Sequence, residues 1–418
     1  MKKDTSLGSV LSTCIGNAFE HYDTALFSFL SPYLAVWLFP SKDPLWSLIV
    51  VYGMIPLGML ARPLGALYFG YIGDVYGRKA ALCGSLMGMA FASGAIALIP
   101  MGDHGLFMPI LFCVGRLLQN FCSAGESAGG AIYLLENTSA EKKDWFSSFF
   151  SASSVAGILL ASLAVTLLAS HNLILKGWRY LYVLGCITGV FGLLLRGRNE
   201  KVSTQISSSQ HLTMAEYLRV FWRHRRALLL IIVCSGFSYA LYTISLVFLN
   251  GFIPLISNFS LDQMSHMNSF LLIADLVMLP LFGKLAKQIT REKLMCIAAL
   301  ITVIAAPMLF LALPNASWLS LLGIRTLFVI LGVAFSAPLY AWAQLLVSQK
   351  YRYSILAMGH AIGSQLLGGP TAFFSLWLFK ITASATCAGG YLVALALLSS
   401  ALLYRLHFTK DRTSVPIS

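Results

Sequence analysis

Apolar runs of about 20 residues, the length that crosses the hydrocarbon core of a bilayer as a helix, recur along this chain from end to end. About twelve can be placed, at 12–38, 46–70, 80–101, 106–135, 147–169, 178–196, 227–254, 266–283, 294–313, 317–347, 354–379 and 386–405. Only 11% of the 418 residues are charged and 58% are hydrophobic, whereas a soluble domain carries roughly a quarter charged residues. A soluble fold is excluded. Transmembrane strands need polar/apolar alternation over about ten residues, and none is visible. The chain reads as an all-α membrane protein of about twelve transmembrane helices in two six-helix bundles.

The net charge of +13 would suit a polyanionic partner if the basic residues were clustered for one. They are sorted by side of the membrane instead. With the N-terminus inside, the inner segments collect Lys2, Lys3, Arg78, Lys79, Lys142, Lys143, Arg219, Arg223, Arg225, Arg226, Lys287, Arg291, Lys350 and Arg352 among others, and the outer segments hold Lys42, Lys176 and Lys380. This is the positive-inside bias, which places both termini in the cytoplasm and accounts for the charge without nucleic acid. The eight cysteines stand singly, at no metal or redox spacing,. The apolar stretch before Cys14 is too short for a lipoprotein signal. No nucleophile with its base, metal triad or phosphate loop appears, so an enzyme is not expected.

Two halves are legible: 1–196, a polar segment 197–226, and 227–418. The polar segment opens Ser-rich, as a flexible linker, and continues as MAEYLRVFWRHRR, which can lie as an amphipathic helix on the inner surface,. A worn repeat relates the halves: Gly283, Arg291 and Lys293 echo Gly70, Arg78 and Lys79, and Arg325 in GIR echoes Arg116 in GRL,. The loop GDVYGRK at 73–79 carries two basic residues and a carboxylate between two apolar runs. It therefore lies in water at the membrane face.

Charged groups inside apolar helices cost kilocalories and mark function. Glu20 and Asp23 share one face of the first helix, flanked by Asn17, His21 and Thr24,. Two carboxylates crowded on a buried face repel each other and lose hydration, so such a pair can carry protons. On the fourth helix Arg116, Gln119, Ser123 and Glu126 follow at steps of 3, 4 and 3. An Arg116–Glu126 pairing would either couple protonation to motion or lock helices together. Arg62, beside Pro63, can snorkel or pair with a first-helix acid. His360 lies in GHAIG, where close packing and substrate contact are both open readings,. Acids concentrate in the first half. The second offers Asp275, with Arg325 and the aromatics Tyr239, Tyr242 and Trp342.

These residues carry a resemblance. The loop is similar to the G-x-x-x-D-R-x-G-R-K signature of the major facilitator superfamily, with Gly70, Asp74, Gly77, Arg78 and Lys79 in place and Val75 for the usual basic residue. Within that superfamily the chain resembles the metabolite:proton symporters. Their first-helix pattern GN-x-x-E-W-x-D-F is met by Gly16, Asn17, Glu20 and Asp23, with His21 and Thr24 for two aromatics. Their fourth-helix pattern is met by Gln119, Phe121, Gly125 and Glu126, while Asn120, Cys122 and Ala124 depart from it. GWR at 177–179 and Arg352-Tyr353-Ser354 also fit.

The resemblance implies a major facilitator fold and secondary active transport by alternating access, driven by a proton gradient with no cofactor. The substrate would be a small organic anion or zwitterion, of the proline/betaine or di/tricarboxylate class. Proton coupling would fall to Glu20, Asp23 and Glu126. Substrate binding would fall to Asn17, His21, Arg116, Gln119, Tyr239, Arg325 and His360. Gating would involve Arg62, the loop residues Gly70, Asp74, Gly77, Arg78 and Lys79, and Arg352. A uniporter and a non-transporting, transporter-like sensor are the alternatives. The expected setting is a bacterial inner membrane, multi-pass and monomeric, with no osmosensing coiled coil after the last span,.

Overall fold

The computed structural model describes residues 7–39, 44–75, 78–100, 107–136, 138, 143–198, 219, 221–347 and 352–410. Among these, helix is the regular structure throughout, as apolar chain in lipid demands: only a helix satisfies every backbone N–H and C=O within its own segment. Seven of the described helices are long and apolar enough by composition to cross a membrane. The outer face of the bundle exposes Phe91, Leu98, Tyr180, Ile304 and Leu319. Apolar side chains so placed belong against lipid.

The first half comprises α1 (Leu7–Leu38), α2 (Pro44–Met59), α3 (Ala61–Val75), α4 (Arg78–Ala97), α5 (Phe107–Glu136), α6 (Lys143–Ser170) and α7 (Ile174–Arg198). The hydropathy predicts one span over 46–70, but the chain breaks at Leu60 into α2 and α3. Pro63 has no N–H to offer the Met59 carbonyl, which removes one helical bond at this break. α1 packs on α6 and α7, and α4 on α5 and α7. The linker expected at 197–226 falls mostly outside the described residues.

The second half holds α8 (Arg225–Tyr242), α9 (Leu249–Ile256), α10 (Leu261–Ile289), α11 (Arg291–Ala312), α12 (Trp318–Ser336), α13 (Leu339–Ala343), α14 (Arg352–Ile362), α15 (Thr371–Thr382), α16 (Ala385–Ala388) and α17 (Gly390–Lys410). Two π-turns interrupt it, Thr243–Phe248 between α8 and α9 and Gly363–Gly368 after α14. They put i→i+5 bonds such as Gly369 N–H to the Ser364 carbonyl, 2.8 Å, into otherwise α-helical spans. Such turns are frequent at functional sites.

The halves meet along α6 and α10, and again where α3 and α5 pack on α14. At the end of the bundle bearing α1's start, the Phe150 and Tyr340 rings meet edge-on and Lys284 lies 5.3 Å from the Trp145 ring. At the other end Tyr33 donates to Asp262, 3.2 Å, Tyr52 donates to the Val247 carbonyl, 3.0 Å, and Lys380 lies 4.4 Å from the Trp46 ring. Between these contact zones lies a cavity.

Candidate functional site

The cavity holds about 1150 Å³ of empty space, open solvent at its mouth included. α1 contributes His21, Thr24 and Ser28, α3 contributes Arg62, and α6 contributes Ser151 and Ser154. The second half closes it with Tyr239 and Tyr242 of α8, Asp275 of α10, Tyr340, His360 of α14, and Ser245, Ser364 and Gln365 of the two π-turns.

On α1, Glu20 and Asp23 do not form the mutually repelling pair that their spacing suggests. Residues three apart on a helix differ by about 60° in azimuth, and here that separates their partners. Glu20 is buried and accepts a hydrogen bond and ion pair from Arg62 on α3. Pairing, and not snorkelling, is what Arg62 does. Asp23 turns toward α4, where Ser93 Oγ donates to its Oδ2. Its Oδ1 is buried with no hydrogen-bond partner among the described residues. Gly185 of α7 faces that oxygen, and a Cβ there would land on it.

Ser93 is the first link of a buried relay. Gln119 Nε2 donates to Ser93 Oγ at 2.9 Å, and Arg116 Nη1 donates to Gln119 Oε1 at 2.5 Å. Arg116 also donates to the Thr24 carbonyl, 3.3 Å, and lies 5.1 Å from the Phe27 ring centroid. So Arg116 and Gln119 stand behind the cavity wall, not in it. The side chain of Glu126 lies outside the described residues, as do those of Asp74, Arg78, Lys79 and Arg352 and the loop position Gly77. Gly70 falls inside α3.

Three more expected binding residues separate by role. Asn17 clamps α1 to α6, donating from Nδ2 to Ser153 Oγ, 2.8 Å, Ser154 Oγ, 2.7 Å, and the Phe150 carbonyl, 3.2 Å. It does not line the cavity. His21 does, and its Nδ1 donates to the Asn17 carbonyl at 2.8 Å, which fixes the proton on Nδ1,. His360 also lines it, held between Tyr340, 3.1 Å from Nε2, and Ser235, 3.2 Å from Nδ1. His360 thus packs against its neighbours and also faces the cavity.

Arg325 is wholly buried in the second half. It donates to Asn268 Oδ1 at 2.5 Å, to the Ser245 carbonyl at 3.0 Å and to the Met264 carbonyl at 3.4 Å. Asn268 in turn donates to the Leu246 carbonyl, 2.9 Å. Both acceptor carbonyls on α8's extension belong to its π-turn. Widening the helix moves carbonyls off their usual donors, and Arg325 with Asn268 supplies replacements. Trp342 is likewise fully buried and off the cavity.

Sequence reasoning missed Ser93, Asn268 and Gln365 as parts of the polar interior. Each is an isolated amide or hydroxyl in an apolar run, and only that isolation could have flagged them. Among the described residues no cluster of metal-ligating side chains occurs.

The profile of the Major Facilitator Superfamily matches residues 13–372. The chain belongs to the Major Facilitator Superfamily. It is a multi-pass membrane transporter, not an enzyme. An Escherichia coli K12 superfamily relative named proline/betaine transporter is 24% identical over 408 residues, covering 93% of this chain and 81% of its own. A Staphylococcus haemolyticus protein with a provisional proline/betaine transporter name is 26% identical over 430 residues, covering 96% and 88%. Among solved structures, a D-xylose-proton symporter superposes with a TM-score of 0.71 at 18% identity over 95% of this chain and 97% of its own. That likeness fixes the major facilitator fold and the two-bundle arrangement.

Proposed function

We propose that this protein is a proton-coupled symporter of a small organic anion or zwitterion, exposing its central cavity alternately to the two sides of a bacterial inner membrane. Both termini are cytoplasmic, and the monomer is the working unit. The observation that carries the reading is the buried Arg62–Glu20 pair at the cavity. A buried pair is stable while both charges are present, and removing one leaves the other exposed to its desolvation cost. A proton taken up by Glu20 therefore releases Arg62, which lines the cavity and can then hold a substrate carboxylate by charge-assisted hydrogen bonds. Substrate anion and proton replace a broken internal pair, so the two load together. Asp23, with one oxygen held by Ser93 and one bare, is a second place for a proton. The provisional and established proline/betaine names of the relatives support the substrate range.

Reconstituted vesicles test this. Uphill accumulation should follow an imposed pH gradient, and Glu20→Gln, Asp23→Asn and Glu126→Gln should each abolish it while substrate exchange at equal pH persists. Accumulation indifferent to the gradient would instead mark a uniporter.

A further inference from the structure

Asp275 is the cavity acid for which the proton-and-anion reading has no use. It is buried, 9% exposed, near the middle of α10, and its side chain lines the cavity. Among the described residues no cation or hydrogen-bond donor pairs with it. A carboxylate taken out of water without a partner is costly. Something that visits the cavity is the natural partner.

The other charged and titratable groups around the cavity sharpen this. Arg62 on α3 is matched by Glu20, while His21 on α1 and His360 on α14 are engaged by the Asn17 carbonyl and by Tyr340 and Ser235. Asp275 is thus the unpaired acid of the cavity among the described residues, and a cation entering beside it would supply the partner it lacks. On α8, Tyr239 and Tyr242 stand one turn apart with ring centroids 5.7 Å apart and planes tilted at 51°, Tyr242 being the one nearer Asp275. Both line the cavity, and neither hydroxyl has a hydrogen-bond partner among the described residues. Tilted aromatic faces beside a carboxylate are the chemistry that recognises an ammonium group, through the ring quadrupole and direct charge attraction.

We infer that Asp275, Tyr239 and Tyr242 form a cation-recognising subsite, so that the substrate is a zwitterion bearing an ammonium nitrogen and not a di- or tricarboxylate. The inference deepens the symport reading above, resting on it for the carboxylate end at Arg62; the ammonium end stands on the cavity alone. A substrate carrying only negative charge would bring no cationic group for Asp275, Tyr239 and Tyr242 to hold.

The test uses two probes of one shape. Glycine betaine and 3,3-dimethylbutanoate differ by a quaternary nitrogen in place of a quaternary carbon, so contact area is matched and the positive charge is the variable. Binding is followed by thermal shift and calorimetry on the purified full chain, with proline, choline, 2-oxoglutarate and citrate alongside. Ammonium-bearing probes should bind, and betaine should bind at least about tenfold tighter than its carbon analogue. Asp275→Asn should erase that preference by weakening betaine alone. Tyr242→Phe should keep it, and Tyr242→Leu should reduce it. Equal or tighter binding of 3,3-dimethylbutanoate to the unaltered protein overturns the inference, with no dependence on how a variant folds. So does saturable binding confined to carboxylate-only probes, binding of none of the ammonium-bearing probes, or a preference that survives Asp275→Asn. Betaine binding without exchange across vesicles would sink the transport reading and leave the subsite standing.

Discussion

Arg62 on α3 donates to Glu20 on α1 at the wall of the central cavity, joining two spans through the ion pair of two buried side chains. Loss of one member strands the other. Glu20→Gln or Arg62→Met alone should lower stability by about 3–5 kcal/mol, and the double variant should recover most of that loss. Chemical unfolding in detergent reads the stability. Gradient-driven accumulation should stay absent in all three, because the double variant repairs the packing and not the exchange of partners.

Ser93 stands between Asp23 and Gln119. Ser93→Ala leaves Asp23 Oδ2 without its donor and Gln119 Nε2 without its acceptor, an expected loss of about 1–3 kcal/mol. Gradient-driven accumulation should fall further than equal-pH exchange, since Asp23 is the link addressed. Gly185→Ala presses a methyl onto Asp23 Oδ1 from the other side and should show the same pattern. Paired accumulation and exchange assays check both. Equal losses in the two assays would assign Ser93 to packing.

Arg325 should separate folding from binding. Replacing it by Met strips donors from the Ser245 and Met264 carbonyls and from Asn268, at about 1–3 kcal/mol for each acceptor left bare,. The melting temperature should drop clearly. Ligand Kd, corrected for the folded fraction, should stay within about threefold, as Arg325 does not line the cavity,. A large change in Kd with an unmoved melting temperature would contradict this assignment.

Close helix approach is tested at Gly157 and Gly65. A Cβ on Gly157 would strike the Ala18 carbonyl and one on Gly65 the Phe121 carbonyl, both rigid backbone. Overpacking of this kind costs about 1–3 kcal/mol, so Gly157→Ala and Gly65→Ala should each destabilise. Gly323→Ala, where nothing lies within 4 Å, should be neutral or slightly stabilising,. Parallel melting curves of the three variants decide.

Hydropathy carried the fold because lipid imposes one rule on every span, and that rule is written in length and polarity. Cost of burial likewise made Glu20, Asp23, Arg62, Arg116 and Arg325 visible as polar groups of consequence. What each one touches was not legible. Glu20 and Asp23 share a helix face in sequence terms, yet one turns to Arg62 and the other to Ser93, because neighbouring helices decide between azimuths a fraction of a turn apart. Arg116 is matched by Gln119 and a carbonyl, an outcome that depends on how α1, α4 and α5 pack. The π-turn at Thr243–Phe248 has no local signature; it exists together with Arg325 and Asn268, which come from two other helices. Asn17, set beside the acids by the sequence, is spent on Ser153 and Ser154.

The long seam between α6 and α10 is joined by small hydroxyls: Ser162 to Ser269 at 2.9 Å and Thr166 to Ser269 and the Ser265 carbonyl at 3.4 Å. Ser269 also reaches the Ser265 carbonyl of its own helix, 3.2 Å. A hydroxyl with a partner at home can let go of its neighbour by a turn about one bond and leave no polar atom stranded. Ser269 can therefore trade its bond across the seam for the one at home, as a bearing yields, whereas breaking the Arg62–Glu20 contact strands a buried charge, as releasing a catch does,. The two kinds of interface lie on different helices, the yielding one on α6 and α10 and the catch on α1 and α3.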